Sequence, residues 1–267
     1  YGQLTESDRQ SVLLGCYEQA RSAERRADLS DFAYRDSRTR RVFANTKGVL
    51  LQEYSTQYDV LGAVSHNPNR LRLEGGVSAR SFSSVGSVPF GVLMAKRLST
   101  LMGEQIAIDD AIRVFWPPRV TAEVFALLAP YFTEESLNEG VTFLSKRKDD
   151  SDLFDSRILM VDDGTLFGGL RSRGFDDRGV TPVPLTLLRE GRVDRSFLSV
   201  GSARQKDTRA TGHATRGQWV PTNLQIRGGT RSLNALMSEM DERVFYIDHF
   251  VDLPDGLNME TGAIDVL

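Results

Sequence analysis

The stretch 162–223 most constrains what this chain can fold into, because its middle has the pattern of a β-hairpin set among loops rich in Gly, Asp and Thr. Two apolar runs, 180–188 and 193–198, flank the pair Glu190-Gly191, and glycine supplies the backbone freedom of a tight turn. The two prolines of the first run cannot donate to a ladder, so we expect that arm to begin at a sheet edge or bulge. Both arms need a sheet to bury them, which predicts a structural centre rather than a flexible insertion.

Signals along the rest of the chain predict an α+β protein with largely antiparallel sheets and packed helices. Thr5, with Asp8 three residues later, predicts a capped first helix. Strands are expected at 32–34, 41–44, 49–54, 58–64, 71–82, 107–116, 158–161 and 244–251. Helices are expected at 88–102 (capped by Ser83 or Ser84), from Pro118, from Thr133 and at 232–240. Strands come in runs rather than in strict alternation with helices, which favours the α+β class. We place a domain boundary between 1–103 and 104–267.

Composition excludes several kinds of protein. The 267 residues are 40% hydrophobic and 26% charged, which is typical of a soluble globular protein. The formal net charge of −3 leaves no basic footprint for nucleic acid, so we expect no nucleic-acid partner. No apolar run reaches the length of a membrane span, so we expect no membrane partner. Cys16 is the only cysteine, and its place on an apolar helix face predicts a buried, unreactive side chain. A chain with no possible internal disulfide suits the cytoplasm, which is our prediction for its location.

Histidine spacing argues against a metal site in this chain. A zinc-protease helix carries two His four residues apart with a Glu as base. The histidines here are His66, His213 and His249, and no two are close in sequence. We therefore predict no metal ligands and no metal cofactor in this chain. A site in which His213 and His249 meet a carboxylate in space stays open as a less favoured alternative.

Two pairs of carboxylates are the remaining candidates for chemistry. Asp162-Asp163 follows a predicted strand and Asp176-Asp177 precedes one. Brought together, the pairs could bind a metal through oxygen or act as acid and base. The favoured interpretation is structural, because Asp in such loops ties turns to nearby N–H groups or to arginines. The local arginines are Arg171, Arg173 and Arg178.

The order of short motifs along the chain resembles the TldD/PmbA family, also known as modulators of DNA gyrase. No single tetrapeptide carries the resemblance; their shared order does, from about residue 40 to the end. The motifs are Asn45-Thr46-Lys47-Gly48, Asp162-Asp163-Gly164-Thr165, Gly168-Gly169, Phe175-Asp176-Asp177-Arg178-Gly179, Glu190-Gly191, Ala203-Arg204, Thr211-Gly212-His213-Ala214, Pro221-Thr222-Asn223 and Thr261-Gly262. His213 departs from the Asn that the family commonly has at this position.

The resemblance implies a fold and a role. The family is a two-subunit peptidase system in which one subunit carries zinc on a His-Glu-x-x-x-His helix and the other, TldE or PmbA, lacks it. The segment 118–132 corresponds to that helix and offers packing residues, so the chain resembles the metal-free branch. The resemblance also implies an internal piece or shortened relative, with part of the N-terminal region absent.

By the same resemblance we expect a subunit that is non-catalytic alone, with zinc in a TldD-like partner. Heterodimer and homodimer both stay open, and the implied substrates are unfolded and leader peptides. Peptide capture would be β-strand addition, with the hairpin 180–198 as the candidate edge. The candidate substrate-binding residues are Asp162, Asp163, Gly168, Gly169, Asp176, Gly179, Thr211, Gly212, His213 and Asn223, with no catalytic residue. Two other functions stay open: a stand-alone hydrolase that uses the Asp-rich loops, and a peptide-binding interaction module without a protease partner.

Overall fold

The computed structural model describes residues 4–102, 113–146, 153–215, 218–239, 244–248 and 257–259. The chain forms two compact units. The first contains residues 1–42, 52–107 and 168–170, and the second contains 43–51, 108–167 and 171–267. The domain boundary expected between 103 and 104 stays a prediction, and short segments of each half, 43–51 and 168–170, group with the other unit.

The first unit pairs helices with a three-stranded sheet. Its elements are α1 (Glu6–Ala23), β1 (Asp28–Ala44), β2 (Leu50–His66), a 3-10 turn (Asn67–Asn69), β3 (Leu71–Ala79), α2 (Phe82–Gly86) and α3 (Phe90–Leu101). The predicted capping box is present, since the Thr5 hydroxyl accepts from Asp8 N and the Asp8 carboxylate accepts from Thr5 N. A Cβ added at Gly91 would collide with the carbonyl oxygen of Cys16, so glycine lets α3 approach α1 closely. Burial raises the pKa of the Cys16 thiol, in accord with the predicted unreactive side chain.

Two expectations for this unit were wrong in detail. The strands expected at 32–34 and 41–44 are one continuous strand, β1, and those at 49–54 and 58–64 are one strand, β2. The helix expected at 88–102 is present as α3, with Pro89 at its N-cap, and the separate short helix α2 precedes it. Ser81 rather than Ser83 or Ser84 caps α2, and its hydroxyl accepts from Ser84 N at 3.1 Å.

The second unit is built around a four-stranded antiparallel sheet in the order β10-β5-β6-β7. Its elements are β4 (Arg113–Phe115), α4 (Pro118–Leu128), a 3-10 turn (Ala129–Tyr131), α5 (Glu134–Glu139), α6 (Phe143–Lys146), β5 (Leu159–Asp162), β6 (Leu185–Arg189), β7 (Arg192–Val193), α7 (Val200–Gln205), β8 (Ala214–Thr215), β9 (Gln218–Trp219), β10 (Leu224–Arg227), α8 (Leu233–Ser238) and β11 (Val244–Tyr246). The core joins sheet and helices through Phe132, Leu144, Met160, Leu187, Leu188 and Phe197, all fully buried.

The predicted hairpin is present, with shorter arms than expected. Glu190 and Gly191 have φ of 51° and 76°. Two successive positive φ values are the mark of a type I′ turn, whose twist matches that of the flanking strands. The ladder extends only over β6 and the two residues of β7, while 180–184 and 194–198 lie outside it. The hairpin therefore offers a very short edge, and binding of a peptide strand at this edge stays a prediction. The other edge of the sheet, β10, has four residues.

One strand pair departs from the antiparallel pattern, since β4 and β11 pair in parallel. Several expectations fall on residues outside the described ranges: most of the strand at 107–116, His249, and the pair Thr261-Gly262. Within those ranges, no helix has both the length and the apolar character needed to cross a membrane.

Candidate functional site

A fully buried pair, Asp162 and His213, lies at the end of β5. The Nε2 atom of His213 is 2.8 Å from Asp162 Oδ2, an ion-pair distance, although the N–H does not point along a hydrogen-bond direction. Both side chains have no exposed surface, and the ring of His213 packs on Phe197 with centroids 4.7 Å apart. Among the described residues, His213 Nδ1 and Asp162 Oδ1 meet no hydrogen-bond partner. Unmet polar atoms at such depth are costly, so this pair depends on the groups around it.

Those groups come from the segment just before β10. Thr222 donates to Asp162 Oδ2 twice, from its backbone N at 2.9 Å and from its hydroxyl at 3.0 Å. Its neighbour Asn223 donates from Nδ2 to the carbonyl of Asp163 at 2.7 Å and to the Ser172 hydroxyl at 2.8 Å. The Asn223 amide oxygen accepts from Arg171 N at 3.0 Å. The motif Pro221-Thr222-Asn223 thus ties the end of β5 to the loop that follows it.

Asp176 organises a second loop in the same unit. Its Oδ1 accepts from the backbone N of Arg178 and of Val180, both at 2.9 Å, and its Oδ2 accepts from Ala214 N at 3.1 Å. Gly179 completes the turn with φ of 77°, and a Cβ there would meet the Phe43 ring at 2.5 Å. Asp176 is 2% exposed. Its carboxylate is therefore occupied by backbone donors.

Thr211 and Gly212 connect three chain segments. The Thr211 hydroxyl accepts from Leu198 N at 3.1 Å, and its backbone carbonyl accepts from Val183 N at 3.2 Å. Gly212 has φ of 75°, and a Cβ there would meet the backbone N of Pro182 at 2.5 Å. At Gly212 the chain lies so close to the backbone of Pro182 that no side chain fits, which explains the requirement for glycine.

The remaining predicted residues have different roles. Asp163 is part-exposed and closes a local turn by accepting from the backbone N and the hydroxyl of Thr165 at 2.8 and 2.6 Å. Gly168 and Gly169 group with the first unit, where the Gly169 carbonyl accepts from Arg80 Nε at 3.1 Å. Of the ten predicted site residues, eight therefore belong to the second unit, and Gly168 and Gly169 belong to the first.

The network is a scaffold by its chemistry. Both oxygens of Asp176 and the Oδ2 atom of Asp162 accept from internal donors, and both carboxylates are shielded from solvent, so neither is placed to exchange a proton with an outside substrate. The arrangement holds the loops around the sheet in fixed positions, as the structural interpretation of the Asp pairs predicted. The donors to these two carboxylates are backbone N–H groups and the Thr222 hydroxyl, with His213 beside Asp162.

Another charged cluster of this unit lies on α5. Glu134 accepts from Lys206 Nζ at 2.6 Å, from Ser196 Oγ at 2.8 Å and from Asn138 Nδ2 at 3.0 Å. Burial by itself raises the pKa of Glu134, but these three donors outweigh it and hold the pKa at about 2. This carboxylate ties α5 to α7 and stays ionised at neutral pH.

Zinc does not fit the described residues. The inward positions of α4 are Val120, Val124, Phe125 and Leu128, which pack in the core and offer no ligand atoms. Over the ranges that the structure describes, no group of three His, Cys, Asp or Glu side chains comes close enough together to hold a metal ion. Catalytic zinc normally takes three such ligands.

Two residues of this network were not in the predicted set, Thr222 and Phe197. Thr222 stands inside a motif that the sequence singled out, and a hydroxyl next to Asn223 was the available signal. Phe197 lies in the second apolar run of the hairpin, and nothing in the sequence distinguishes a ring that packs on a histidine from an ordinary core residue.

Comparison with known proteins relates this architecture to a family. The family model described as the PmbA/TldA metallopeptidase C-terminal domain matches residues 109–266. An uncharacterised protein of Methanocaldococcus jannaschii is 24% identical over 207 residues, which is 75% of this chain and 47% of that protein. The chain spans about half the length of this curated relative.

Solved structures give the same fold. A proposed modulator of DNA gyrase from Thermotoga maritima superposes with a TM-score of 0.79 at 20% identity, over 99% of this chain and 65% of that one. TldE from Thermococcus kodakarensis gives a TM-score of 0.78 at 18% identity, over 98% and 64%. A proposed modulator of DNA gyrase from Bacteroides thetaiotaomicron gives 0.76 at 15% identity, over 98% and 62%.

Fold and family model together define a metallopeptidase-type C-terminal domain joined to a smaller helix-and-sheet unit. The chain belongs to the TldD/PmbA family. The α+β class and the resemblance drawn from the motif order are both confirmed.

Proposed function

We propose that this chain is a metal-free, TldE/PmbA-like subunit of a TldD/TldE-type metalloprotease that processes or degrades unfolded and leader peptides. The observation that carries the proposal is α4, which by resemblance corresponds to the zinc helix of the other branch: it contains no His, and its inner face is apolar. Val120, Val124 and Leu128 are at most 4% exposed and belong to the packing of the helix. A helix with this face has a structural role, so the zinc and the cleavage chemistry belong to a partner.

The geometry of the second unit supports a role in holding peptide. Its sheet ends at β10, a four-residue edge strand that follows directly on Asn223. Extended peptides add to such edges through main-chain hydrogen bonds, which demand little of the peptide sequence. We therefore transfer the expected docking edge from the hairpin to β10. Under this proposal, Asp163, Thr211 and Asn223 shape the loops beside the docked peptide and do not react with it.

Co-purification tests the proposed partnership. The full chain, tagged and expressed in its native host, should retain a second chain that carries a His-Glu-x-x-x-His helix. Peptide cleavage should accompany the pair and be absent from either chain alone. A partner without that helix would support the interaction module instead, and cleavage by the isolated chain would support the stand-alone hydrolase.

A further inference from the structure

Two arginines of β1 converge on one tyrosine of β2 in the first unit. The guanidinium carbons of Arg38 and Arg40 lie 5.3 and 5.9 Å from the ring centroid of Tyr54, within the range of cation–π attraction. Arg40 Nη2 also donates to Gln52 Oε1 at 2.8 Å. The ring and the amide fix two long side chains that would otherwise be mobile. A ligand that binds them therefore loses less conformational entropy than one that binds free arginines.

These two arginines carry uncompensated charge. Two carboxylates of the same strands are bound to other arginines: Asp36 to Arg9 at 2.9 Å, and Glu53 to Arg41 at 2.8 Å. In the part of the chain that the structure describes, neither Arg38 nor Arg40 has a carboxylate within ion-pair distance. The face is therefore locally positive on a protein whose formal net charge is −3.

The same face is also apolar. Side chains alternate along a strand, so Val42 lies on the face of Arg38 and Arg40. Val42 and Tyr54 are each 54% exposed. Tyrosine and arginine are the residues that most often dominate the binding energy of protein interfaces. We call Arg38, Arg40, Val42 and Tyr54 the Arg-Tyr face.

We propose that the Arg-Tyr face binds an acidic segment of a partner protein, with carboxylates for the two guanidiniums and an aliphatic side chain for Val42. Arginine binds carboxylates through two parallel N–H donors, so a segment rich in Asp or Glu suits this face. Charged residues can also protect an edge strand such as β1 from pairing with another chain. Such charges would each be solvated separately, whereas Arg38 and Arg40 both lie over the ring of Tyr54. Nucleic acid is disfavoured, because its affinity rests on many phosphate contacts and this face offers two cations. The proposal does not depend on the proposed function.

Fluorescence anisotropy with the full chain tests the proposal. The probe is a short labelled peptide that alternates Asp and Leu, compared with a matched peptide that alternates Asn and Leu and with a labelled oligothymidylate. The acidic peptide should bind best, and its affinity should fall as ionic strength rises. The double variant Arg38→Gln/Arg40→Gln should weaken binding about tenfold, the effect of losing two exposed ion pairs of up to about 1 kcal/mol each.

The matched control is Arg21→Gln/Arg25→Gln, which removes the same charge from exposed positions at and just beyond the end of α1. The control should retain wild-type affinity. Equal loss in the two double variants, equal binding of the acidic and amide peptides, tighter binding of the oligothymidylate, or no binding of any probe would each overturn the proposal. If a variant folds poorly, the wild-type chain still tests the proposal, because an affinity for the acidic peptide that does not fall with ionic strength would contradict it.

Discussion

At the scale of single residues, buried carboxylates of the second unit are bound by parts of the chain far away in sequence. Asp162 meets Thr222 and His213, which follow it by 60 and 51 residues in the printed sequence. Such carboxylates are expensive to bury and more expensive to leave half-paired. The second unit is therefore stable only when these carboxylates and their distant partners are brought together.

Replacing Asp162 should expose this dependence. The variant Asp162→Ala leaves the buried Thr222 donors without their acceptor and removes the carboxylate beside His213, so we expect it to lower the free energy of unfolding by about 3–5 kcal/mol. Asp155→Ala is the control, since Asp155 is 46% exposed and pairs with Arg157 at the surface. Its loss should cost far less, because an exposed ion pair contributes little to stability. Urea denaturation of both variants measures the difference, and similar midpoints would contradict the assigned role of Asp162.

Glu134 gives a pH-dependent prediction. Its folded pKa of about 2 lies below the ordinary value of about 4.3, so the folded state favours the ionised form. The stabilisation is fully present above the unfolded pKa and is lost as the pH falls through about 2. Glu134→Gln should therefore destabilise the chain by about 3 kcal/mol at neutral pH and progressively less on acidification. A difference between variant and wild type that is constant with pH would contradict the assignment.

The sequence predicted the turn-forming Asp and Gly residues of the second unit better than it predicted the groups that bind them. Asp and Gly in loops indicate turns through local rules, and Asp163, Gly179 and Gly191 follow them. The contacts of Asp162 and Asp176 span long stretches of chain, which local propensity does not encode. The face of Arg38 and Arg40 was likewise missed, because the sequence does not show which arginines of one strand lie over a tyrosine of the next.

At the scale of elements, the turn between β6 and β7 is the sharpest test of the fold. Gly191 combines φ of 76° with a position where a Cβ would collide with the carbonyl oxygen of Phe154. Gly140 has φ of 74° but open space around it, so a substitution there measures backbone strain without any collision. We expect Gly140→Ala to cost about 1 kcal/mol from strain alone.

Gly191→Ala should cost clearly more than Gly140→Ala, because the collision adds to the same strain. Gly228→Ala, at a position without positive φ and with open space, should be close to neutral. Thermal unfolding of the three variants ranks them. Equal melting temperatures for Gly191→Ala and Gly140→Ala would refute the close packing of the turn against Phe154.

Hydrogen exchange tests whether stretch 162–223 is a structural centre. Amides of Leu185, Leu187 and Leu188 lie in the middle of the four-stranded sheet, and their side chains are at most 3% exposed. They should exchange among the slowest in the chain, while Phe167, with a fully exposed side chain, serves as a fast reference. Rapid exchange across 185–188 would refute a central role for this stretch.

Element boundaries show where periodicity stops being informative. The Leu- and Val-rich strands of the second unit were predicted because one face of each is buried. The distal halves of β1 and β2 are largely solvent-exposed on the face of Arg38 and Tyr54, so their polar sequence lacks the alternation that marks a strand. The sequence therefore predicted fragments of each strand in place of single elements of 17 residues.

At the scale of the whole molecule, family membership sets the fold, and the packing of α4 sets the proposed role. By resemblance α4 corresponds to the zinc helix of the family's other branch, and in this chain it contains no His and buries Val120, Val124 and Leu128. The proposal that follows is a division of labour, in which this chain supplies sheet and loops and a zinc-bearing partner supplies cleavage.

Zinc content measured together with peptide cleavage tests this central claim most directly. The isolated chain, purified without chelator and examined by elemental analysis, should contain far less than one zinc per chain and should cleave no unstructured peptide. Cleavage should begin when a zinc-bearing family member is added, and a chelator should abolish it through that partner. About one zinc per chain, with chelator-sensitive cleavage by the isolated chain, would contradict the account.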